Sequence, residues 1–269
     1  MDTDGRSVVT IGAYDGVHIG HRLVIERVRA LAGAEGLRSI VVTFDRHPAS
    51  VVRPESAPKL LTDLDQKLEL LVSTGIDAIE LIHFDDERAT ETAEDFIATV
   101  LVAQLGVSTV VVGRNFHFGK ARGGNVALLE EMGPELGYRV VPFDLVMDEP
   151  ASAGAPAEVI SSTRIRQLVS AGDVVGAARL LERPHEVRGM AADTPAGGGI
   201  TIRVPGEILL PPDGCYAGHL TALEYPGEWR PCEVRIENPQ GSATIVVVSG
   251  EDLARHAGDA VRLSFERPV

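Results

Sequence analysis

His18 and His21 stand three residues apart in the string Gly12-Ala13-Tyr14-Asp15-Gly16-Val17-His18-Ile19-Gly20-His21. A helix starting near Val17 would put both imidazoles on one face of its first turn. Gly12 and Gly16 let the backbone approach a polyphosphate with no side chain in the way, and the free amides of a helix start offer donors at its positive end. Phosphate binding is the chemistry this pattern suits. The same spacing also occurs in ordinary surface histidines at a helix start. Zinc lacks a third ligand at a recognisable spacing, so no metal ligand is assigned. A second candidate is Ile160-Ser161-Ser162-Thr163-Arg164-Ile165-Arg166. Ser161 or Ser162 can cap a helix whose buried stripe is Ile165, Leu168 and Val169, leaving Arg166 on a different side. Hydroxyls, helix-start amides and a guanidinium make a second phosphate cradle, expected to face the first. The plainer alternative is a cap followed by solvated arginines.

Two further stretches suit an acceptor. In Thr43-Phe44-Asp45-Arg46-His47-Pro48, Pro48 stiffens an extended loop, Phe44 and His47 could line a pocket, and Arg46 adds a five-donor fork that suits phosphate or carboxylate. In Val112-Gly113-Arg114-Asn115-Phe116-His117-Phe118-Gly119-Lys120, two of the chain's seven phenylalanines alternate as in an extended segment. They either plug the loop into a core or form an apolar clamp for a flat ring, with the Asn115 amide hydrogen-bonding to it.

Positioning these loops calls for a parallel sheet. Short β-branched runs alternate with helical patterns, the signature of βα units. Strands are predicted over 8–12, 39–43, 78–83, 109–112 and 139–143, and helices over 23–33, 64–73, 92–105 and 125–132. Gly33, Gly36, Gly75, Gly106 and Gly133 are the expected helix stops. Ligands of such sheets bind at the carboxyl ends of the strands, where every stretch quoted above except the Ser-Ser-Thr segment would lie. The Pro/Ala/Gly-rich run over 149–157 reads as a mobile connection. From about Arg183 the pattern turns to short strands with Gly/Pro turns, which suggests a small barrel. The expectation is an α/β, Rossmann-like parallel-sheet domain over 1–184 followed by an all-β, barrel-like domain over 185–269.

The first string resembles the phosphate-binding signature of adenylyltransferases. Its Asp-Gly-Val-His-x-Gly-His form resembles that of the prokaryotic FAD synthetase family, whose two-domain members phosphorylate riboflavin and adenylylate FMN. Thr43 to Pro48 is similar to the family's Thr-Phe-x-Pro-His-Pro, with Arg46 in place of a proline. His83-Phe84-Asp85 is similar to a Phe-Asp pair after the corresponding strand, Asn115 to Gly119 to its Asn-Phe-x-Phe-Gly flavin element, and Ile160 to Arg166 to its second nucleotide motif. The resemblance runs from about Ser7 to His185 and is weak beyond. It implies transfer of AMP from ATP to the phosphate of FMN, giving FAD and pyrophosphate, with magnesium held through the ATP phosphates. His18, His21 and Arg166 would be catalytic. Gly12, Tyr14, Asp15, Gly16, Ser162 and Thr163 would bind nucleotide, and Phe44, Arg46, His47, Pro48, Asn115, Phe116 and Phe118 the acceptor. Leu210 to Ala217 and Val261 to Phe265 resemble strands of the family's riboflavin kinase barrel. Its Gly-x-Pro-Thr-Ala-Asn element is missing between Val187 and Leu210, where Gly197-Gly198-Gly199 is a plain flexible turn. The helical tail that usually closes the kinase half is also missing before Val269, so the kinase half is expected to be degenerate. Two alternatives stay open: a paralogue with a different phosphorylated or carboxylate acceptor, and a non-catalytic nucleotide- or flavin-binding protein.

With 269 residues and an apolar content of 44%, the chain can build an ample core. A net charge of -14 argues against bulk binding to nucleic acid or anionic membrane. Met1 to Asp4 lacks a basic leader region and no apolar run approaches the length of a membrane span, so a cytoplasmic protein is expected. Cys215 and Cys232 read as small buried hydrophobes. Nothing in the sequence fixes an oligomeric state.

Overall fold

The computed structural model describes residues 5–148, 157–193, 199–223, 230–237, 244–248 and 260–269. The chain divides into two compact units, 1–58 with 64–159 and 59–63 with 160–269.

In the first unit, β1 (Ser7–Ile11), β2 (Arg38–Phe44), β3 (Ala78–Ile82), β4 (Val107–Gly113) and, after the short hairpin β5 (His117–Phe118) and β6 (Gly124–Asn125), β7 (Arg139–Phe143) are the sheet-forming and loop strands. The five long ones form a parallel sheet in the order β3-β2-β1-β4-β7. All five predicted strands are present. β1 is buried along its whole length because both faces are covered. Val8 and Val41 pack with Ile25, Val28 and Ala32 of α1 (Ile19–Glu35) on one face. Val9 and Val42 pack with Ile97, Leu101 and Leu129 on the other.

The helices between the strands are α1, α2 (Pro48–Val52), α3 (Leu64–Val72), α4 (Asp86–Ala89), α5 (Ala93–Phe96) and α6 (Val126–Leu136). Two expected stops are corrected. Gly33 lies inside α1, which ends at the left-handed Gly36, and Gly133 lies inside α6, which ends at the left-handed Gly137. Gly133 serves packing instead, since a Cβ there would stand 2.7 Å from the Tyr138 carbonyl oxygen. The helix predicted over 92–105 is α5 continued by a π-helix, Ile97–Gln104, closed by Leu105 N–H donating to the Val100 carbonyl at 3.0 Å. The antiparallel pair β8 (Met147–Asp148) and β9 (Glu158–Val159) ends the unit. The connection expected over 149–157 lies, apart from Ala157, outside the described residues.

The second unit begins with α7 (Ser162–Ser170) and α8 (Val174–Leu181), followed by β10 (His185–Asp193), β11 (Gly199–Arg203), β12 (Gly214–Ala222), β13 (Arg230–Glu237), β14 (Thr244–Val248) and β15 (Ala260–Pro268). These strands close an antiparallel barrel in the order β10-β11-β14-β13-β12-β15. Ile200, Ile202, Leu220, Val234, Leu263 and Phe265 fill its core, and Val174 of α8 joins them. The two helices α7 and α8 cluster with the barrel strands in this unit. The segment 59–63 belongs here through Leu60, whose N–H donates to the Glu207 carbonyl and whose carbonyl accepts from Leu209 N–H, both at 2.7 Å. Gly197 and Gly198 of the expected turn lie outside the described residues. Both cysteines are free, with Cys232 buried and its thiol pushed up to about 12 by burial, then by Glu266.

Candidate functional site

The turn over 12–18 leaves β1 in an unusual backbone. Tyr14 (φ 51°), Gly16 (φ 83°) and Val17 (φ 38°) are all left-handed, which for a β-branched valine is costly. Bonds to the sheet hold it there. Gly12 N–H donates to the Val42 carbonyl at 3.1 Å, and the Thr43 hydroxyl donates to the Ala13 carbonyl at 3.3 Å. The Tyr14 hydroxyl pairs with Thr10 at 2.7 Å. Burial raises the Tyr14 phenol well above its ordinary range, with the Thr10 bond working the other way. Tyr14 is therefore a buried wall behind the turn, its ring 4.9 Å from that of His21.

The helix starts at Ile19, ahead of the predicted start at 23, and His18 is its N-cap. His18 Nδ1 accepts from His21 N–H at 3.4 Å, and the two rings stack with centroids 3.6 Å apart. The two imidazoles are thus adjacent, as the three-residue spacing requires, though through cap geometry. Asp15 and His18 are buried.

Beside this turn lies a cavity of about 850 Å³ within the first unit. Its walls come from the loops after four strands: Gly12 and Ala13 after β1, Phe44, His47 and Pro48 around the end of β2, Phe84 after β3, and Asn115, Phe116 and Phe118 after β4. Seven of the residues expected in the site therefore meet around one space. His47 caps α2, its Nδ1 accepting from Ala49 N–H at 3.1 Å, and Pro48 occupies the first turn. Phe44 meets Phe84 edge-on with centroids 5.3 Å apart. Phe116 and Phe118 stack on each other at 5.3 Å and 13°, so no ring fits between them as they stand. Phe118 is buried in the sheet core against Phe96, while Phe116 is half-buried.

Arg46 does not line the cavity. Its guanidinium lies 3.6 Å from Asp45, which also accepts from Phe84 N–H at 3.0 Å and pairs with His83 at 2.6 Å. Burial opposes the Asp45 carboxylate, but these partners outweigh it and hold its pKa below the ordinary value. Wall residues that the sequence did not single out as site residues include Phe84, Phe96, Arg53, Arg88 and Arg122. Arg88 is paired with Glu91 at 2.8 Å, and Arg122 follows Ala121 in two successive left-handed conformations.

In the second unit, Ser161 is the N-cap of α7, its hydroxyl accepting from Arg164 N–H at 3.2 Å, so Ser162 and Thr163 form the first turn. Arg166 Nε donates to the Lys59 carbonyl at 2.7 Å.

Among the described residues no helix is long and apolar enough to cross a membrane. Residues 1–163 match the profile of the FAD synthetase family. The bifunctional riboflavin kinase/FMN adenylyltransferase of Escherichia coli K12 is 34% identical over 182 residues, covering 68% of this chain and 56% of that protein. Its counterpart in Listeria monocytogenes is 31% identical over 222 residues, covering 80% of this chain and 68% of that protein. The chain spans little more than half the length of the Escherichia coli protein and of the one from Buchnera aphidicola (strain Sg), which is 28% identical. A crystal structure described as a macrolide-efflux protein from Streptococcus pneumoniae superposes with a TM-score of 0.80 at 22% identity, over 98% of this chain and 85% of that one. That likeness concerns fold alone. With a family profile matching more than half its residues and these relatives on either side of 30% identity, the chain belongs to the FAD synthetase family.

Proposed function

We propose that the protein is an FMN adenylyltransferase, transferring AMP from ATP to the phosphate of FMN and releasing pyrophosphate. The observation that carries this is the meeting, at Gly12 and Ala13, of the His-x-Gly-His turn with an aromatic-walled cavity of about 850 Å³ at the strand ends. That volume falls in the range of pockets for small organic ligands, about 300–1,000 Å³. Phe44, Phe84 and Phe116 suit a flat ring, Asn115 offers an amide to its edge, and Arg53 and Arg122 offer cations to an acceptor phosphate.

In the reaction an oxygen of the FMN phosphate attacks the α-phosphorus of ATP. The new P–O bond forms as the bond from the α-phosphorus to the β-bridging oxygen breaks, and its electron pair leaves on pyrophosphate. The attacking phosphate is anionic at neutral pH, so no strong base is needed. The chain has to align two anions and stabilise charge developing at the α-phosphate. His18 and His21 take that task, and, as the family's second nucleotide motif implies, Ser162, Thr163 and Arg166 bind triphosphate oxygens. Gly12, Asp15 and Gly16 shape the turn, and Tyr14 backs it. Among the described residues no group of three His, Cys, Asp or Glu side chains is gathered to hold an ion. Magnesium would enter on the ATP phosphates with its waters, neutralising their charge.

Riboflavin kinase activity is not part of the proposal. The kinase element is missing from the sequence, and the barrel core is filled by side chains such as Ile202, Leu220 and Leu263, each with no exposed surface.

Incubating the protein with ATP, magnesium and FMN, and following FAD and pyrophosphate, tests the assignment. FMN binding without turnover would favour a non-catalytic flavin protein, and the absence of both would favour a different phosphorylated or carboxylate acceptor. FMN made from riboflavin and ATP in the same assay would show kinase chemistry in the second unit.

A further inference from the structure

Lys67 lies outside every motif of the sequence, on α3, yet it is only 7% exposed. Lysine is seldom buried to that degree unless paired. Its ammonium donates to the Phe44 carbonyl at 2.5 Å, at the point where β2 gives way to the acceptor loop. It is also attracted by two carboxylates, Asp15 in the turn over 12–18 and Asp45 in the acceptor loop. Asp15 is itself 5% exposed and sits between the left-handed residues Tyr14 and Gly16. At a non-glycine residue such as Tyr14 backbone of that kind is strained and persists only where its surroundings over-determine it. The Lys67 ammonium, fixed on the Phe44 carbonyl, is one such determinant, because withdrawing it removes a positive charge that attracts the buried Asp15 carboxylate. Burial lowers the lysine's pKa while Asp15 and then Asp45 oppose the shift, which agrees with an ammonium drawn inward by its partners.

We propose that Lys67 is a positioning residue that ties the phosphate-binding turn after β1 to the acceptor loop after β2 and so sets the approach of the two substrates. It touches neither substrate. The role rests on the adenylyl transfer proposed above, and it separates alignment from binding. Removing the ammonium should lower turnover while the cavity walls, Phe84, Phe116 and Phe118, still receive the acceptor.

The test uses the full chain with Lys67→Met, Lys67→Gln and Lys67→Arg. Steady-state FAD formation gives kcat and KM for FMN, and amide hydrogen exchange is measured on the unliganded proteins. Lys67→Met and Lys67→Gln are expected to lower kcat tenfold or more with KM for FMN within about threefold, a misalignment effect. Their exchange should quicken at residues 14–17 and 44–46 and stay unchanged in the interior of β1 and β4. Lys67→Arg, which keeps a cation, should recover kcat to within about threefold of wild type. Unchanged kcat in both neutral variants overturns the inference, as does exchange that rises uniformly through the unit, which would mark Lys67 as a stability residue alone. The glutamine variant retains a donor for the Phe44 carbonyl and decides the matter if the methionine variant does not fold. If wild type makes no FAD, the proposed function fails by itself, and exchange at 14–17 and 44–46 still decides whether Lys67 holds the two loops.

Discussion

Phe116 and Phe118 give the most informative pair of truncations, because the structure assigns them different work. Phe118 is 9% exposed, packs on Phe96 at 5.8 Å, and lies so near Gly124 that a Cβ there would stand 2.8 Å from its ring. Surroundings that tight cannot refill the hole left by Phe118→Ala, so a loss of about 3–5 kcal/mol of unfolding free energy is expected. Phe116 is half-buried, stacks on Phe118 and lines the cavity. Phe116→Ala gives up about half of an aromatic side chain's burial together with one ring pair, in total about 1–2 kcal/mol. If FMN stacks on the free face of Phe116, losing that face removes about 0.5–1.5 kcal/mol of binding, roughly a twofold to tenfold rise in Kd. Urea unfolding without ligand, and titration of FMN fluorescence with each folded protein, read the two quantities separately. The reasoning is refuted if Phe116→Ala destabilises as much as Phe118→Ala and leaves FMN affinity unchanged, because the loop would then be a core plug and nothing more.

His18→Ala and His21→Ala should each lower kcat for FAD formation about a hundredfold or more, the scale of losing one donor to a developing anion, and wild-type turnover in either folded variant would remove it from the mechanism. His18→Ala should also cost about 1 kcal/mol in thermal or urea unfolding, since His18 is the N-cap of α1. Arg46→Ala should leave KM for FMN within about twofold, because its guanidinium rests on Asp45 outside the cavity and is half exposed; a tenfold rise would put it on the acceptor. Asp77→Asn should lose about 1 kcal/mol at pH 6, because Asp77 accepts from the Ser39 hydroxyl at 2.6 Å and the Ser39 amide at 2.8 Å. Those bonds hold its pKa below the ordinary value, so its contribution is present above that value and is lost as pH falls through the folded-state pKa. The gap between wild type and variant should therefore narrow in unfolding titrations carried below pH 4, and a gap unchanged with pH would contradict the assignment.

The parallel sheet was legible because its strands are short β-branched runs separated by helical periodicity, and central strands buried on both faces have no other composition to use. Helix ends were less so. Gly33 and Gly133 look like stops, yet both lie within helices, and for Gly133 a close approach to Tyr138 calls for the same residue that a cap would. The π-helix after Phe96 has the same apolar composition as an ordinary buried helix, and its backbone bonding, as in the Leu105 to Val100 bond, is what distinguishes it. Phe116 and Phe118 stood out by rarity, but their stacking on each other, and hence which ring is wall and which is core, follows from Phe96 and Gly124 arriving from elsewhere in the chain. Lys67 resembles any charged residue on an amphipathic helix, and its burial depends on Asp15 and Phe44, distant in sequence.

The turn over 12–18 resisted reading for a sharper reason. Local rules exclude a valine from left-handed backbone, so Val17 argues in the sequence against the conformation it adopts. What holds that conformation lies in β2: the Val42 carbonyl accepting from Gly12 N–H and the Thr43 hydroxyl donating to the Ala13 carbonyl. The carboxyl end of β2 therefore shapes the phosphate turn on one side and starts the acceptor loop at Phe44 on the other. A change at Thr43 or Val42 would disturb both loops together, whereas a change in the cavity wall at Phe116 would disturb the acceptor alone. Strain in the turn is thus tolerated because the strand end that enforces it also builds the neighbouring half of the site.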